Sequence, residues 1–552
     1  MIFDLPNHRM SPIYLDAASR EFRRLLSMMD RDPASNTLGA GDRLFWSWKF
    51  TDFPMARFQE SAYAVAWLFT NRSSPAPYQG SPALLSWLTA LLKYWRGLQH
   101  RDGSFDEAYP CERSLAAVSF TGFYIGEAIE LAKASLPADE TAATLASLGR
   151  AAEWLCHHDE THGLLSNHLA AAAAALTTIG QLTGEPRFLE RARHFLQRIY
   201  DHQSSEGWYE EYGGFDPGYQ THGTFYLARI WQRTGDTRLL ESLRRATEFL
   251  AQFIHPDGSF GGEYGSRNTE FQFPAGFEML AGTIPEAGLI AEFFRKNIRQ
   301  GCGVGLPSMD PQNFLPMLNN YLFAHTHFAT GPVREATRKT GTRLHPKAGI
   351  VLKRTAKYFA ILGTSKGGVL KAWDADGRAI SLPGYFVRTS DRRVISSQHL
   401  DHGAQVETSG EEVRVVQRFA LARQRTMKPW LFMGFRLTSL VLYFLPRLAP
   451  VIKSLLVKVL VSRKDYEPFQ LDRRVRFGEE EIEVTDTLTN ESGEDSPMPA
   501  VSPKFATIHM GSSRYFQVED LIAAHPPAAS PEAVWRAGTT LTFRYSLFSD
   551  RH

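Results

Sequence analysis

The chain of 552 residues is poor in cysteine and has no long block of one charge. Its three cysteines, Cys111, Cys156 and Cys302, give neither a disulfide framework nor a metal-ligand spacing, which favours a reducing compartment. The 61 basic and 59 acidic residues leave a net charge of +2, and this balance does not indicate a nucleic-acid partner. We therefore expect neither a disulfide-stabilised protein nor a nucleic-acid-binding protein.

The sequence also lacks a visible secretory signal and an uninterrupted membrane span. Its first residues, MIFDLPNHRMSPIYLD, have no basic segment followed by an apolar one, which predicts a cytoplasmic protein. The most apolar segment, residues 428–464, is broken by Pro446 and Pro450 and falls short of the roughly 20 apolar residues of a span. Two interpretations stay open: a basic amphipathic helical hairpin lying peripherally on the inner face of a membrane, or a helical insertion packed on its own protein.

Residues 56–335 show helical periodicity with glycine-rich breaks, and part of this region repeats. The segment that ends EGWYEEYGG is followed by one that ends DGSFGGEYGS, and their matched glycines, Gly207 and Gly258, are 51 residues apart. That length fits two helices with their turns, so each repeat is a helical hairpin that needs neighbours to bury its apolar face. We predict an α/α toroid, an incomplete barrel of helical hairpins, whose turns near residues 103, 163, 207 and 258 converge on one cleft.

Beyond about residue 345 the residue pattern changes to short runs rich in β-branched residues, separated by Gly, Asp and Ser turns. This pattern predicts an antiparallel β-sandwich. The predicted organisation is an N-terminal extension at 1–55, the toroid with its cleft at 56–335, and the sandwich at 346–552. The apolar segment 428–464 interrupts the sandwich between two strands.

Two short motifs lie in the predicted turns of the toroid. LLSNHLA contains Asn167 and His168, and GGFDPGYQTHGTFYLA contains Tyr219, 52 residues after Asn167. Together with the order of toroid and sandwich, these motifs resemble those of the heparinase II/III-like polysaccharide lyases and their alginate lyase relatives. The resemblance implies that Asn167 neutralises a substrate carboxylate, that Tyr219 transfers protons, and that a histidine of the β domain assists.

The β-domain histidine is where the sequence departs from this family pattern. The strand pair in which the family carries a Gly-His-rich turn reads GTSKGGVLKAWDADGRAISLPGYF, with Lys366 and no histidine. His399 and His402 in SSQHLDHG, or His325 and His327 in FAHTHF, are the available substitutes. We take His399 as the candidate.

The chemistry explains why such residues are needed. Elimination at a uronic acid begins with loss of the C5 proton beside a carboxylate, so donors must neutralise that anion and a base must lie within reach of C5. We assign the base to Tyr219 and secondary proton transfer to His168 or His222, with Arg267 as a bidentate clamp. The substrate-binding candidates on the polar turns are Glu211, Tyr212, Glu263, Tyr264 and Arg267. No cofactor is expected, and a structural divalent metal in the β domain is left open.

Each assignment has an alternative. Asn167 could cap the helix that follows it, Tyr219 could be a packed aromatic residue, and the Glu263–Glu270 loop could hold a structural ion network. A C5-epimerase would use the same proton abstraction, and a non-catalytic glycan-binding protein would need none. A glycoside hydrolase would use two carboxyl groups, and the candidates for it are Asp106, Glu107, Glu210, Glu211, Glu263 and Glu270. In every case the expected partner is a polysaccharide.

Overall fold

The computed structural model describes residues 13–160, 165–330, 340–389, 391–422, 428–445, 448–449, 451–452, 465–502, 504–508, 510–521 and 534–548. A helical region precedes a region of antiparallel strands, with one helix inserted among the strands. The helices are α1 (Ile13–Met28), α2 (Ser61–Thr70), α3 (Pro82–Leu98), α4 (Leu115–Ala132), α5 (Ala138–His157), α6 (Ser166–Thr183), α7 (Pro186–His202), α8 (Pro217–Thr234), α9 (Thr237–Leu250), α10 (Ala275–Leu280), α11 (Pro285–Gln300), α12 (Pro311–Thr326) and α13 (Pro429–Phe444).

The helical region is a double-layered toroid. Helices α2, α4, α6, α8, α10 and α12 pack in that order into an inner ring, and α12 packs back against α2, which gives the predicted α/α toroid. α4 and α6 are buried on almost every side, and small residues permit this: Gly122 of α4 faces Ala175 of α6. The outer helices α3, α5, α7, α9 and α11 are amphipathic and bury one face each.

The predicted N-terminal extension is in part a toroid helix. α1 packs on α11 and α12, and it buries Tyr14 and Phe22. The Tyr14 hydroxyl donates a 2.6 Å hydrogen bond to Glu278 of α10. The sequence boundary at residue 55 missed this helix because α1 has the amphipathic pattern without the glycine turn that marks the repeats.

Glycines in the repeated turns explain the repeat physically. Gly103 and Gly207 have φ angles of +95° and +109°, and a Cβ there would lie 2.2 and 2.4 Å from the carbonyl oxygens of Arg150 and Arg245. Only a glycine allows each turn to close against the next outer helix in this left-handed conformation. The predicted equivalence of these turns is therefore present in the structure, whereas the turn near residue 163 lies outside the described residues.

The β region consists of antiparallel sheets. Its strands are β1 (Gly341–His345), β2 (Ile350–Arg354), β3 (Tyr358–Gly363), β4 (Val369–Asp374), β5 (Ala379–Leu382), β6 (Phe386–Arg388), β7 (Val394–Ser396), β8 (Gln405–Ser409), β9 (Glu412–Leu421), β10 (Tyr466–Phe477), β11 (Ile482–Asn490), β12 (Ser496–Pro497), β13 (Val534–Trp535) and β14 (Thr540–Leu547). The first sheet has the order β1-β2-β3-β4-β5, and the second has the order β14-β11-β10-β9-β7-β6 with β8 also paired to β9. α13 lies between β9 and β10, as predicted for the insertion.

The middle strands of the first sheet are buried on both faces. Leu352 and Ile361 pack with the core of the toroid, whereas Val351 and Leu362 pack with Val475 and other residues of the second sheet. This double burial explains why the first three residues of β2 and all of β3 are apolar or glycine, without polar alternation. Because the first sheet is fixed against the toroid, loops of the β domain reach the ends of the toroid helices.

One helix in the described part of the chain, α4, is long and apolar enough to cross a membrane by length and composition. Most of its surface is buried among the other toroid helices. Burial of this kind is typical of a core helix.

Candidate active site

The predicted site residues lie where the inner helices begin. Because outer and inner helices alternate along the chain, α4, α6 and α8 run in the same direction and start at one rim of the toroid. Asn167 and His168 are in the first turn of α6, and Tyr219 and His222 are in the first two turns of α8. Helix N-termini carry partial positive charge, so this rim favours an anionic ligand.

Glu211 joins the start of α6 to the turn before α8. Its buried carboxylate accepts hydrogen bonds from the backbone N (2.6 Å) and Nδ2 (2.8 Å) of Asn167. Burial raises the pKa of the Glu211 carboxyl well above its usual value. The N-cap position belongs to Leu165, which offers no side-chain bond, so Glu211 satisfies the helix terminus from another repeat. Asn167 itself is only 1% exposed, and its predicted contact with substrate stays a prediction.

His168 is paired with a carboxylate that the sequence analysis missed. Its Nδ1 lies 2.7 Å from Oε2 of Glu160, and the side chains of the two residues are 20% and 2% exposed. An Nδ1–H that donates to a carboxylate fixes the tautomer in which Nε2 is the proton acceptor. The only sequence signal for Glu160 is an acidic residue eight positions before His168, in the turn HDETHG.

His222 is buried between aromatic rings. It stacks on Phe273 at 4.2 Å and on Phe120 at 5.6 Å, and its Nε2 lies 3.1 Å from the Tyr226 hydroxyl oxygen. Burial, reinforced by the nearby Arg57, lowers the pKa of His222 well below the ordinary value of 6.5. The imidazole is therefore neutral at pH 7.

This neutral histidine predicts an acid-sensitive fold. His222 and the buried His255 both have lowered pKa values, with burial as the main cause. Below pH 6.5 these histidines are protonated in the unfolded chain but stay neutral in the folded protein. The free energy of unfolding therefore falls with pH, by up to about 1.4 kcal/mol per pH unit for each histidine. Between pH 7.5 and 5.5, one unit on either side of the unfolded pKa, His222→Phe should remove about 1.4 kcal/mol in total from the pH-dependent loss of stability measured by urea unfolding. An equal slope in His222→Phe and wild type contradicts a neutral His222, and the exposed His157→Gln serves as the control.

Tyr219 lies at the boundary between the two domains. Its side chain is half-buried, and its hydroxyl lies 3.3 Å from Oγ of Ser512 in the β domain. Burial raises the pKa of the Tyr219 phenol, while Arg267 and Ser512 act in the opposite direction. Asp216 caps α8 by accepting a 3.1 Å hydrogen bond from the backbone N of Tyr219. Tyr219 is therefore held at the start of its helix as a neutral phenol at pH 7.

Arg267 lies beside this phenol. Its guanidinium is 4.1 Å from the centre of the Tyr212 ring, which is 6.0 Å from the Tyr219 ring. Its backbone N donates to Asp216 at 2.9 Å, and one guanidinium nitrogen contacts the Met510 sulfur. The buried Nε has no hydrogen-bond partner among the residues that the structure describes. An unpartnered cationic N–H is thus enclosed beside the Tyr212 and Tyr219 rings.

The other predicted binding residues lie deeper. Tyr264 is buried, with its hydroxyl 2.9 Å from Nε2 of His255. Glu270 accepts a 3.2 Å hydrogen bond from Nζ of Lys504, and Glu263 is buried close enough to influence both charges. This loop forms an ion network under the β domain, so direct substrate binding by Glu263 and Tyr264 stays a prediction.

A β-domain loop, residues 397–403, covers the turn before α8. Nε2 of His402 donates a 2.6 Å hydrogen bond to the carbonyl oxygen of Gly213, and the side chain of Leu400 packs closely on Gly214. His399 lies against Tyr466, 5.7 Å between ring centres. Among the candidate histidines of the β domain, His402 thus has the direct contact with the rim turn, and the assignment of His399 stays a prediction.

The remaining substitutes lie elsewhere. His325 and His327 are at the C-terminal end of α12 and so lie at the opposite rim, where His327 contacts Gln232 near the end of α8. They cannot replace a β-domain histidine at this site. Lys366 is buried and donates a 2.9 Å hydrogen bond to Oδ1 of Asn268, next to Arg267.

Arg57 is a second residue that the sequence analysis missed. Its guanidinium lies 4.4 Å above Phe120, the ring that also contacts His168 and His222. It is paired with Glu60 at 2.7 Å and Glu107 at 3.2 Å. Arg57 precedes α2 outside the recognisable repeats, so no sequence pattern pointed to it.

Metal ligation finds no support among the described residues, where no group of three or more His, Cys, Asp or Glu side chains is arranged to hold an ion. The expectation of no cofactor stays a prediction.

We compared the sequence and the fold with those of known proteins. Residues 85–282 match the family model of the ulvan lyase N-terminal domain, a range that includes Asn167 and Tyr219. A comparison with curated protein sequences finds no match. The match therefore covers the middle of the toroid and leaves the β domain to structural comparison.

Among solved structures, heparinase III has 12% identity and a TM-score of 0.54, covering 99% of this chain and 87% of that one. The chondroitin AC lyase of Streptomyces coelicolor A3, in complex with chondroitin sulphate, has 13% identity and a TM-score of 0.56 over 90% of this chain and 69% of that one. A Paenibacillus xanthan lyase has 9% identity and a TM-score of 0.56 over 99% and 58%. At these identities the structures confirm the predicted toroid followed by a β-sandwich. With the ulvan lyase match they confirm the predicted relationship: the chain is a relative of the polysaccharide lyases that combine an α/α toroid with a β-sandwich.

Proposed function

We propose that this protein is a polysaccharide lyase that removes the C5 proton of a uronic acid residue and expels the 4-linked sugar by β-elimination. The observation that carries the proposal is the convergence at one rim of the toroid of three groups: the His168–Glu160 pair, the Tyr219 phenol and the unpartnered Nε–H of Arg267. They come from α6, α8 and the loop after α9. The family match and the fold agree with a lyase.

In this proposal Arg267 neutralises the substrate carboxylate. A buried N–H of a guanidinium that lacks a partner gains a charge-assisted hydrogen bond when a carboxylate arrives. This contact strengthens as charge develops on the carboxylate oxygens during proton removal, which is the condition for catalysis by electrostatic stabilisation. The N-termini of α6 and α8 add partial positive charge at the same rim.

In this proposal His168 is the proton acceptor and Tyr219 is the proton donor. Nε2 of His168 accepts the C5 proton, because Glu160 holds the other ring nitrogen protonated. The electrons of the C5–H bond form the C4=C5 double bond, and the C4–O4 bond breaks. Tyr219, whose raised pKa keeps it protonated, gives its proton to O4 of the departing sugar. This arrangement gives Tyr219 the role of acid instead of the base role that the sequence suggested.

The alternatives differ in their fit. A C5-epimerase would use the same base and differ only in the return of a proton to C5. Glycoside hydrolysis needs two available carboxyl groups about 6.5–9.5 Å apart for inversion. Of the candidates, Asp106 accepts backbone hydrogen bonds, Glu107 pairs with Arg57, and Glu211 caps α6. These bonds favour elimination over hydrolysis.

Product analysis in deuterated water tests the reaction class. The purified chain is incubated with a panel of uronate polymers (alginate, hyaluronan, chondroitin and ulvan), and we expect an unsaturated product that absorbs in the ultraviolet. Deuterium at C5 without chain cleavage would identify an epimerase, and new reducing ends without unsaturation would identify a hydrolase. Binding without turnover on every polymer would identify a glycan-binding protein. Each of these three results overturns the proposal.

A further inference from the structure

Helix α13 exposes apolar side chains where a surface helix normally carries polar ones. Its large exposed residues are Trp430, Leu431, Phe432, Met433, Leu437, Leu440, Val441, Tyr443 and Phe444. Phe444 alone is 76% exposed. The outward face of a helix on a globular protein is usually charged or polar, and apolar patches beyond about 300–600 Å² mark interaction surfaces.

A narrow stripe holds α13 to the toroid. Ser439 and Leu442 are its buried residues, and Leu442 packs with Tyr109 and Cys111 of the loop before α4. Arg436 forms a 2.8 Å ion pair with Asp52. The helix therefore has a fixed orientation, with its apolar side facing away from the protein.

A second exposed apolar segment lies close to this helix. Leu44 and Trp48 are the first and last residues of a short π-helical turn, and Phe50 follows it; Trp48 and Phe50 are 67% and 93% exposed. This segment is joined to α13 through Asp52, the partner of Arg436. We call the outer side of α13 together with Leu44, Trp48 and Phe50 the apolar platform.

Charge indicates what the platform contacts. Residues 428–464 contain seven Lys or Arg residues and no Asp or Glu. A complementary partner surface therefore has negative charge on its outside and an apolar layer beneath it. Trp, Tyr and Phe side chains favour such a place, the boundary between lipid headgroups and acyl chains. α13 has only 16 residues, fewer than the roughly 20 needed to span a bilayer, so it would lie in the plane of the interface.

We propose that the apolar platform docks this protein on the surface of an anionic lipid bilayer. The loop that holds α13 also carries Glu107, the partner of Arg57, so the platform lies at the rim where α4, α6 and α8 begin. Docking there places the candidate active site next to the membrane, and, if the proposed lyase function holds, its polymer is taken at the bilayer surface. The docking itself does not depend on the reaction.

Vesicle flotation of the full chain tests the docking. We expect binding to vesicles of phosphatidylglycerol and phosphatidylcholine, weaker binding to phosphatidylcholine alone, and a loss of binding as salt rises from 0.1 to 0.5 M, because surface charges are screened. The double variant Leu437→Asp/Leu440→Asp should weaken the vesicle partition coefficient at least tenfold. Trp48→Ala/Phe50→Ala should weaken it less, because it leaves α13 intact.

The control is Leu344→Asp on the edge strand β1, which should bind vesicles like wild type; Leu344 is 51% exposed, against 59% for Leu437 and Leu440. All variants should keep the wild-type thermal midpoint, since the substituted side chains contact solvent. Absence of vesicle binding by wild type overturns the proposal. It is also overturned if the wild type is a dimer by light scattering and Leu437→Asp/Leu440→Asp is a monomer, because the platform would then cover a second copy of the chain. Either result leaves the product assay for the lyase unaffected.

Discussion

Replacement of Tyr219 by phenylalanine is expected to lower kcat for elimination by about 10²- to 10⁴-fold, the usual contribution of a positioned general acid. The ring should stay in place, because it packs edge-on against Phe271 and its backbone is held by the Asp216 cap. Loss of the hydroxyl removes the proton for O4 and, among the residues that the structure describes, one weak hydrogen bond, to Ser512 at 3.3 Å. KM for the polymer should therefore change little.

Two controls make this result specific. Tyr200→Phe removes a hydroxyl from the outer helix α7, away from the rim, and should leave kcat unchanged. The pH profile of the wild type should show no appreciable loss of activity from ionisation of Tyr219 below about pH 9, because burial raises the pKa of this phenol above its ordinary value of 10.0. A Tyr219→Phe variant that retains more than half of the wild-type kcat would exclude the phenol as proton donor.

The sequence repeat allowed the toroid to be predicted. The same repeat suggested equivalent roles for matched side chains, and the structure places those side chains differently. Glu211-Tyr212 recurs as Glu263-Tyr264, which predicts equivalent roles. In the structure, Tyr212 has a positive φ of 54° and lies beside Tyr219, whereas Tyr264 is buried against His255 under the first sheet. The first sheet covers the later repeat, whereas the loop 397–403 contacts the earlier one, and no pattern within the repeat encodes that difference.

Contacts between distant parts of the chain also could not be predicted from the sequence. The hydroxyl of Tyr219 meets Ser512, 293 positions later, in a stretch without recognisable pattern. Glu211 caps α6 across 44 residues, so a motif-based interpretation naturally gave the cap to Asn167 itself. The motifs identified residues at the rim, while the partners that set their ionisation and orientation came from the fold.

The pairing of His168 with Glu160 leads to the second large effect. Without the imidazole there is no acceptor for the C5 proton, so His168→Gln should lower kcat by about 10²- to 10⁴-fold. Glu160→Gln should cost a comparable factor, although Glu160 is a positioning residue. A side-chain amide can donate to Nδ1 and stabilise the tautomer in which Nε2 carries the proton and cannot accept another.

A double-mutant cycle separates this positioning role from a structural one. If Glu160 acts only through His168, the double variant His168→Gln/Glu160→Gln should be no slower than His168→Gln alone, because residues that act as a unit are not additive. His157→Gln is the matched control: its Nδ1 lies 3.6 Å from Glu153 on the outer helix α5, and kcat should be unchanged. Multiplicative losses in the double variant, or a Glu160→Gln defect confined to the thermal midpoint, would show that the carboxylate supports the fold and that the C5 proton goes to another base.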